Sequence, residues 1–270
     1  MCLIIFAYKY HPLYPLVFGA NRDEFYERPS APVAFWDEEP NIIAGRDLRG
    51  GGTWLGLTKS GRIAAITNFR DPLARKEDAP SRGILVSDFL RGDERPEEFI
   101  KRIRPTASEY NGFNIIVGDL SRLFYFSNRG NVIREIDEGI HGLSNHLLDT
   151  PWPKVERGKE MFARLLSDRE SPSEEAIFDA LADTAWPDDT LLPDTGVGME
   201  LERILSPIFI KSPGYGTRSS TVILIDSYDT VRFTERTFDA GKVDQETRTV
   251  ELKNEKISRN KPRVLSCRRH

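Results

Sequence analysis

The sequence contains few cysteines and histidines, and their scarcity excludes several classes of protein. Among its 270 residues there are two cysteines, Cys2 and Cys267, which lie at opposite ends and form no CxxC motif. A disulfide-rich secreted scaffold is therefore excluded, and a reducing, cytoplasmic compartment is expected. His141 and His146 lie close in sequence, but the further candidate ligands Cys267 and His270 belong to a distant tail. We accordingly predict neither a metal site nor another cofactor.

Long apolar runs and a surplus of positive charge are also missing. The apolar run near the start, Leu3–Ala7, is far shorter than the roughly 18 residues that a membrane-spanning helix needs. No cationic region precedes it, so neither a signal peptide nor a membrane span is expected. The 38 basic and 42 acidic side chains give a formal net charge of -4. We expect no nucleic-acid partner, because such proteins usually have an excess of positive charge.

What the chain does contain suits a globular fold. Hydrophobic residues make up 39% and charged residues 30% of the sequence, close to the average of soluble domains. A chain of this length buries about three-quarters of its extended surface on folding, which is enough for a core without disulfides or metals. We predict a single domain over residues 1–270.

Strand and helix patterns occur in separate blocks along the chain. Strands are predicted at Cys2–Tyr8, Leu16–Ala20, Thr53–Thr58, Arg62–Thr67, Phe113–Val117, Leu123–Phe126, Val132–Ile136, Ser219–Asp226 and Thr230–Phe238. Helices are predicted at Ser81–Arg91, after Pro96, at Pro153–Leu166, and after the capping box Ser171–Glu174 with Pro172 in the first helical position. Such blocks favour an α+β fold with antiparallel sheets covered by helices over a doubly wound βαβ fold.

Cys2 directly follows the initiator methionine, and a small residue there usually permits removal of that methionine. Cysteine would then have a free α-amine beside its thiol. A thiol with a pKa of about 8.5 is a weak nucleophile at neutral pH, whereas an α-amine with a pKa of about 7.7 to 8.0 is able to accept its proton. The alternative interpretation is that Cys2 is a small apolar residue that begins a buried strand.

Six separate segments, in the same order, resemble the NRDE family, which includes the transport-and-Golgi-organisation proteins and many bacterial members. The matching segments are Cys2, Asn21–Glu24, Gly45–Gly56, Thr67–Arg70, Leu143–His146 and Gly216–Ser220. This family in turn is similar to the N-terminal nucleophile hydrolases. The resemblance implies a four-layer αββα sandwich of two antiparallel sheets.

The most similar pattern within those hydrolases is that of the choloylglycine hydrolases, which comprise bile-salt hydrolases and penicillin V acylases and cleave linear amides. By this resemblance Cys2 is the nucleophile, and Asp23 holds its thiol and amine in place. Asn68 and Asn145 would face the oxyanion, and Arg218 would complete the charge network. Amide donors of this kind stabilise a tetrahedral intermediate by a few kcal/mol each.

The sequence departs from that pattern at one position. Those hydrolases have an arginine directly after an aromatic–glycine pair, whereas this chain has Ala20 there and Arg22 two positions later. Because side chains alternate along a strand, residues 20 and 22 share a face, and Arg22 is able to substitute. The alternative interpretation of Arg22–Glu24 is a salt-bridged turn that ends a strand.

The glycine-rich loop and the tryptophan that follows it are further candidates for the surroundings of the pocket. Gly50–Gly52 matches neither GxxxxGK[ST] nor GxGxxG, so it is interpreted as a flexible loop at the rim instead of a phosphate site. Trp54 is either a core residue or an aromatic that faces the ligand. Asn21, Arg22 and Trp54 form the predicted substrate-binding set.

The sequence thus predicts a cysteine hydrolase that cleaves a linear carbon–nitrogen amide bond of an unknown small acyl-amide through an acyl-thioester on Cys2. The alternative is a non-catalytic carrier or chaperone of a hydrophobic ligand, such as haem or an acyl lipid, on the same fold. A third possibility is an interaction protein without small-molecule chemistry. Hydrolysis requires a free amine beside the thiol, whereas a carrier requires only a pocket.

Overall fold

Short apolar strands separated by turns form two antiparallel sheets in the computed structural model, which describes residues 2–167, 170–228, 230–238 and 245–253. The strands are β1 (Cys2–Tyr8), β2 (Leu16–Phe25), β3 (Ser30–Phe35), β4 (Ile42–Asp47), β5 (Leu55–Thr58), β6 (Ile63–Asn68), β7 (Phe113–Gly118), β8 (Leu123–Ser127), β9 (Val132–Glu135), β10 (Gly139–Leu143), β11 (Lys211–Ser212), β12 (Tyr215–Ile225), β13 (Thr230–Phe238) and β14 (Gln245–Lys253). Sheet 1 has the order β10-β1-β2-β12-β13-β14, with β11 paired to β12, and sheet 2 runs from β3 to β9 in chain order.

Helices cover the outer face of each sheet. They are α1 (Gly83–Arg91), α2 (Pro96–Ile103), α3 (Pro153–Leu165), α4 (Glu174–Leu181) and α5 (Met199–Ile204). Apolar residues of α1 and α2, including Phe89 and Phe99, pack on sheet 2. Residues of α3 and α4, including Phe162 and Ile177, pack on sheet 1. No helix in the described part of the chain combines the length and the apolar character that crossing a bilayer requires.

Strand β1 explains why the predicted four layers form. Leu3 and Ile5 point to the helices on sheet 1, whereas Ile4 and Phe6 point to the other sheet and belong to the core between the sheets. A strand covered on both faces needs apolar residues at every position, which is the unbroken pattern of this segment. The predicted α+β fold with a four-layer αββα sandwich is therefore confirmed.

The register of sheet 1 determines the position of the predicted nucleophile. Cys2 is paired with Arg22 in the β1–β2 hairpin, and Asp23 is paired with Thr217 of β12. The prediction that the second strand ends at Ala20 was wrong, because β2 continues to Phe25. The polar residues remain in the strand since each of them finds a hydrogen-bond or charge partner there.

Several elements were not predicted from the sequence. They are the strands β3, β4, β10, β11 and β14 and the six-residue helix α5. The capping residue of α4 is Ser173, which accepts a hydrogen bond from the Ala176 amide at 3.2 Å, so Pro172 precedes the cap. Cys267 and His270 lie outside the described residues, and the single domain over residues 1–270 stays a prediction.

Candidate active site

Cys2 lines a cleft at one end of the space between the sheets. Cys2 is partly exposed, and the cleft has a volume of about 580 Å³. Trp54 and Asn68 line the same cleft, and so does Arg82, which immediately precedes α1. The cleft is strongly polar, because four arginines and the acidic residues Glu24, Asp47 and Glu77 contribute to its surface.

The Gly50–Gly52 loop forms part of the rim of the cleft, and its backbone conformation and close packing require glycine. Gly51 and Gly52 have φ angles of 66° and 71°, in the left-handed region that favours glycine. A Cβ atom at Gly52 would also lie 2.5 Å from the carbonyl oxygen of Gly83. The loop therefore packs directly against the start of α1, and Asp47 accepts hydrogen bonds from the amides of Arg49 and Gly50.

Burial is the main influence on the Cys2 thiol. It raises the pKa of this thiol above its ordinary value, while the Arg22 guanidinium and a hydrogen bond from the main chain of Asp23 act in the opposite direction. A thiol that keeps its proton at neutral pH needs a neighbouring base before it becomes a nucleophile. An α-amine on the same residue is such a base.

Asp23 lies on the opposite face of β2 from Arg22, on the helix side of sheet 1. Its carboxylate is 1% exposed and accepts a hydrogen bond from the Thr217 hydroxyl at 2.7 Å. Tyr215 donates its hydroxyl to the main-chain oxygen of Asp23 at 3.1 Å. Burial raises the pKa of the Asp23 carboxyl, and the Lys154 ammonium counteracts this effect. The side chain is thus held firmly near the start of β1.

Three charged residues that the sequence analysis did not identify form a buried charge cluster together with Asp23: Arg70, Lys154 and Glu202. Arg70 and Glu202 form an ion pair of 2.5 Å, and their side chains are 6% and 3% exposed. Lys154 donates to the main-chain oxygen of Leu205 at 2.9 Å. Burial lowers the pKa of Lys154 to about 8, although the Asp23 carboxylate opposes this shift.

The signals for this cluster in the sequence were weak. Arg70 lies in the Thr67–Arg70 segment, whereas Lys154 and Glu202 lie in a helical pattern and a polar stretch. Helices α3 and α5 bring them to sheet 1 only through packing. A charged residue in an amphipathic helix is ordinarily a surface residue, so its burial was not predictable from local sequence.

The two predicted oxyanion residues have different positions. Asn68, at the end of β6, lines the cleft with Cys2. Asn145 is completely buried and donates its side-chain amide to the main-chain oxygen of Asn68 at 2.9 Å. Ser144 donates its hydroxyl to the main-chain oxygen of Cys2 at 3.3 Å. The Leu143–His146 segment therefore joins the ends of β1 and β6 and supports Asn68 from behind.

Arg218 lies at an irregularity in β12, where the register with β2 shifts between Thr217 and Ser219. Its guanidinium donates to three main-chain oxygens in the turn after β2, those of Phe25, Tyr26 and Arg28, at 2.8 to 3.0 Å. These hydrogen bonds hold the turn after β2 in place. Its predicted place in the catalytic charge network stays a prediction.

The side chain of Asn21 points to the helices and not into the cleft. It donates to the main-chain oxygens of Leu181 and Ile208 at 2.8 and 2.9 Å, and accepts from the Ser220 hydroxyl at 2.6 Å. These contacts use its amide group to join β2 to the end of α4 and to β12. The substrate-binding role of Asn21 therefore stays a prediction.

Arg22 and Trp54 separate the cleft from a second pocket. The Arg22 guanidinium lies 4.2 Å from the centre of the Trp54 ring, an arrangement typical of a cation–π contact. The second pocket, of about 210 Å³, lies on the other side of this pair and contains Glu235. Burial raises the pKa of Glu235 to about 7, although a hydrogen bond from the Val33 amide at 2.8 Å opposes it.

Two antiparallel sheets between helical layers are the fold of the N-terminal nucleophile hydrolases. A solved structure with this fold is that of a mutant of conjugated bile acid hydrolase from Clostridium perfringens. It is similar to this chain with a TM-score of 0.52 and 9% sequence identity, over 95% of this chain and 98% of that one.

The chain belongs to the Transport and Golgi organisation 2 family, whose model matches residues 1–240. The Transport and Golgi organization 2 homolog of Mus musculus is 36% identical, over 93% of this chain and 99% of the relative. Transport and Golgi organization protein 2 of Drosophila melanogaster is 30% identical, over 88% of this chain and 92% of the relative. The resemblance inferred from six short segments is thereby confirmed.

Proposed function

We propose that this protein is an N-terminal cysteine hydrolase that cleaves the linear carbon–nitrogen amide bond of a small acyl-amide. The observation that supports this proposal most strongly is the position of Cys2 in a polar cleft beside Asn68, with the Asp23 carboxylate held near the start of the same strand. The hydrolase-like fold is consistent with it. The cytoplasmic location and the absence of a nucleic-acid partner remain parts of the proposal.

The proposed reaction begins after Met1 has been removed. The free amine of Cys2 accepts the thiol proton, and the sulfur attacks the carbonyl carbon of the amide. Asn68 donates a hydrogen bond to the resulting oxyanion. The carbon–nitrogen bond breaks, the leaving amine takes the proton from the Cys2 ammonium, and an acyl-thioester remains. Water then attacks this thioester, which releases the carboxylic acid and restores the thiol and amine.

The buried residues would keep the reacting groups in the required orientation and ionisation state. Asp23 would orient the Cys2 ammonium, and Thr217 in turn orients Asp23 through a 2.7 Å hydrogen bond. Lys154 and Arg70 would favour the ionised form of Asp23, because nearby cations stabilise a carboxylate. Asn145 would position Asn68 and not contact the oxyanion itself.

The carrier alternative has less support from the cleft. A site for haem or an acyl lipid is usually lined mainly by apolar side chains. The cleft beside Cys2 instead contains four arginines and three acidic side chains, those of Glu24, Asp47 and Glu77. Such a lining suits a small polar substrate better than an extended hydrophobic ligand.

The experiment that tests the proposal combines mass spectrometry with hydrolysis of a panel of acyl 4-nitroanilides. We expect the intact protein to lack Met1, and mild alkylation to label Cys2 in preference to Cys267. The Cys2→Ala variant should lose the label and the release of 4-nitroaniline, whereas Cys267→Ser should retain both. A mature chain that retains Met1, or equal hydrolysis by the Cys2→Ala variant, would contradict the proposal.

A further inference from the structure

Arg82 occupies a distinctive position in the cleft. It immediately precedes α1 and lines the same cleft as Cys2 and Asn68. Its Nη1 atom donates to the main-chain oxygen of Gly112 at 2.9 Å, and the Phe69 amide donates to the same oxygen at 2.9 Å. Because Phe69 directly follows Asn68, the Arg82 guanidinium lies next to the strand end from which Asn68 faces the cleft.

The other three cleft arginines have carboxylate partners. Arg22 and Arg28 lie 3.8 and 2.8 Å from Asp47, and Arg49 lies 4.0 Å from Glu27. Over the ranges that the structure describes, no ion pair of this kind is formed by Arg82. The hydrogen bond that it donates goes to a neutral carbonyl oxygen, which leaves further N–H groups of the guanidinium available.

Electrostatics also links Arg82 to the predicted nucleophile. Burial lowers the pKa of the Arg82 guanidinium, while Cys2 and Glu24 act in the opposite direction. An arginine nevertheless keeps its charge at neutral pH, because its ordinary pKa lies far above neutrality. A partly buried, permanently charged fork in the same cleft as Cys2 is suited to a planar anion such as a carboxylate.

We propose that Arg82 binds an anionic group of the substrate, so that the substrate class is an acyl-amide that also has a carboxylate. That the bound anion belongs to a substrate rests on the proposed hydrolase function, whereas the preference of the cleft for an anion does not. The guanidinium lies beside Asn68, so the anionic group would bind close to the scissile carbonyl. A purely structural Arg82, which only anchors α1 to Gly112, would have no influence on the charge of what reaches Cys2.

The first test compares two alkylating reagents that differ in charge but little in shape, iodoacetate and iodoacetamide. We expect the ratio of their rate constants at Cys2 to fall by about threefold to tenfold in Arg82→Gln, because the cation no longer attracts the anion. Added salt should lower the wild-type ratio in the same direction. Arg91→Gln, at the other end of α1 and beside Glu39 at 3.5 Å, is the matched control and should retain the wild-type ratio.

The iodoacetamide rate in Arg82→Gln serves as an internal check on the site. An unchanged iodoacetate-to-iodoacetamide ratio in a variant whose iodoacetamide rate is normal would overturn the proposal. Arg82→Lys should preserve part of the ratio, since it keeps the charge but loses the planar fork.

A second test uses the unmodified protein and does not depend on how the variant folds. Succinamate and succinamide are both small amides, and they differ by one carboxylate. Succinamate should protect Cys2 from iodoacetamide at lower concentrations than succinamide does. Equal protection, or none by succinamate, would overturn the proposal. Both tests give an answer whether or not Met1 is removed. Failure of the hydrolase proposal is detected separately, by intact mass, and is therefore distinguishable from failure of the anion-binding proposal.

Discussion

The cleft in front of Cys2 and the buried charge cluster behind it contain the same kinds of side chain in different surroundings. In the cleft, Arg28 and Asp47 form an ion pair of 2.8 Å with side chains 26% and 15% exposed. In the cluster, Arg70 and Glu202 form one of 2.5 Å with side chains 6% and 3% exposed. Water screens the first pair, so its charges can exchange partners with a ligand. The second pair must stay together, because a buried charge without a partner is costly.

The largest expected effect is on the buried pair. Glu202→Gln leaves the Arg70 guanidinium buried without its carboxylate, and we expect the free energy of unfolding to fall by about 3 to 5 kcal/mol. Chemical denaturation would measure this loss. The matched control is Asp189→Asn, which removes the acid from the Arg203–Asp189 pair, also 2.5 Å long but roughly half exposed. The control should show no measurable change, and similar losses in both variants would remove the distinction between the two regions.

The next effect is a dependence of stability on pH that arises from Lys154. Burial lowers the pKa of Lys154 to about 8 in the folded protein, from an ordinary value of 10.5. Between these values the unfolded chain binds more protons, so the contribution of Lys154 to stability rises as pH increases. Lys154→Met should remove this rise. The rise amounts to roughly 3 kcal/mol, because each unit of difference in pKa corresponds to about 1.36 kcal/mol.

Denaturation curves recorded between pH 8 and 10.5 would measure this difference. Lys159→Met removes a less buried lysine from the same helix, and it should keep the wild-type slope. If Lys154→Met also keeps that slope, the pKa of Lys154 in the folded protein does not differ from its ordinary value.

The smallest effect is expected in the cleft. Arg28→Gln should change the free energy of unfolding by less than about 1 kcal/mol, and added salt should reduce the change further. Asp47 keeps its hydrogen bonds from the amides of Arg49 and Gly50 in this variant. A loss of unfolding free energy as large as that of Glu202→Gln would show that the ion pair in the cleft contributes as much to stability as the buried pair.

Most strands and helices with an apolar pattern were predictable from the sequence. Strand β1 was predicted with its observed bounds, because a run of apolar residues reports burial on both faces. The extension of β2 through Arg22 and Asp23 was not predictable, since charged residues are normally taken as the end of a strand. Strand β14 was missed for the related reason that it is polar and lies at the edge of sheet 1.

The candidate site was predictable only in part. The resemblance identified Cys2 and Asn68, and the structure brings both to one cleft. It also suggested Arg218, whose side chain fastens the turn after β2. No sequence pattern indicated that Lys154 and Glu202 belong to the site, because their position near Asp23 depends on how α3 and α5 pack on sheet 1.

The sequence by itself determined the apolar runs that form much of the two sheets, the position of Cys2 at the start of a strand covered on both faces, and the family to which the chain belongs. Only the tertiary structure decided which charges are buried in pairs behind Cys2 and which, like Arg82, face the open cleft. The physical reason is that the energy of a charge depends on its distance from water and from other charges. Those distances are set between segments that are far apart in the chain.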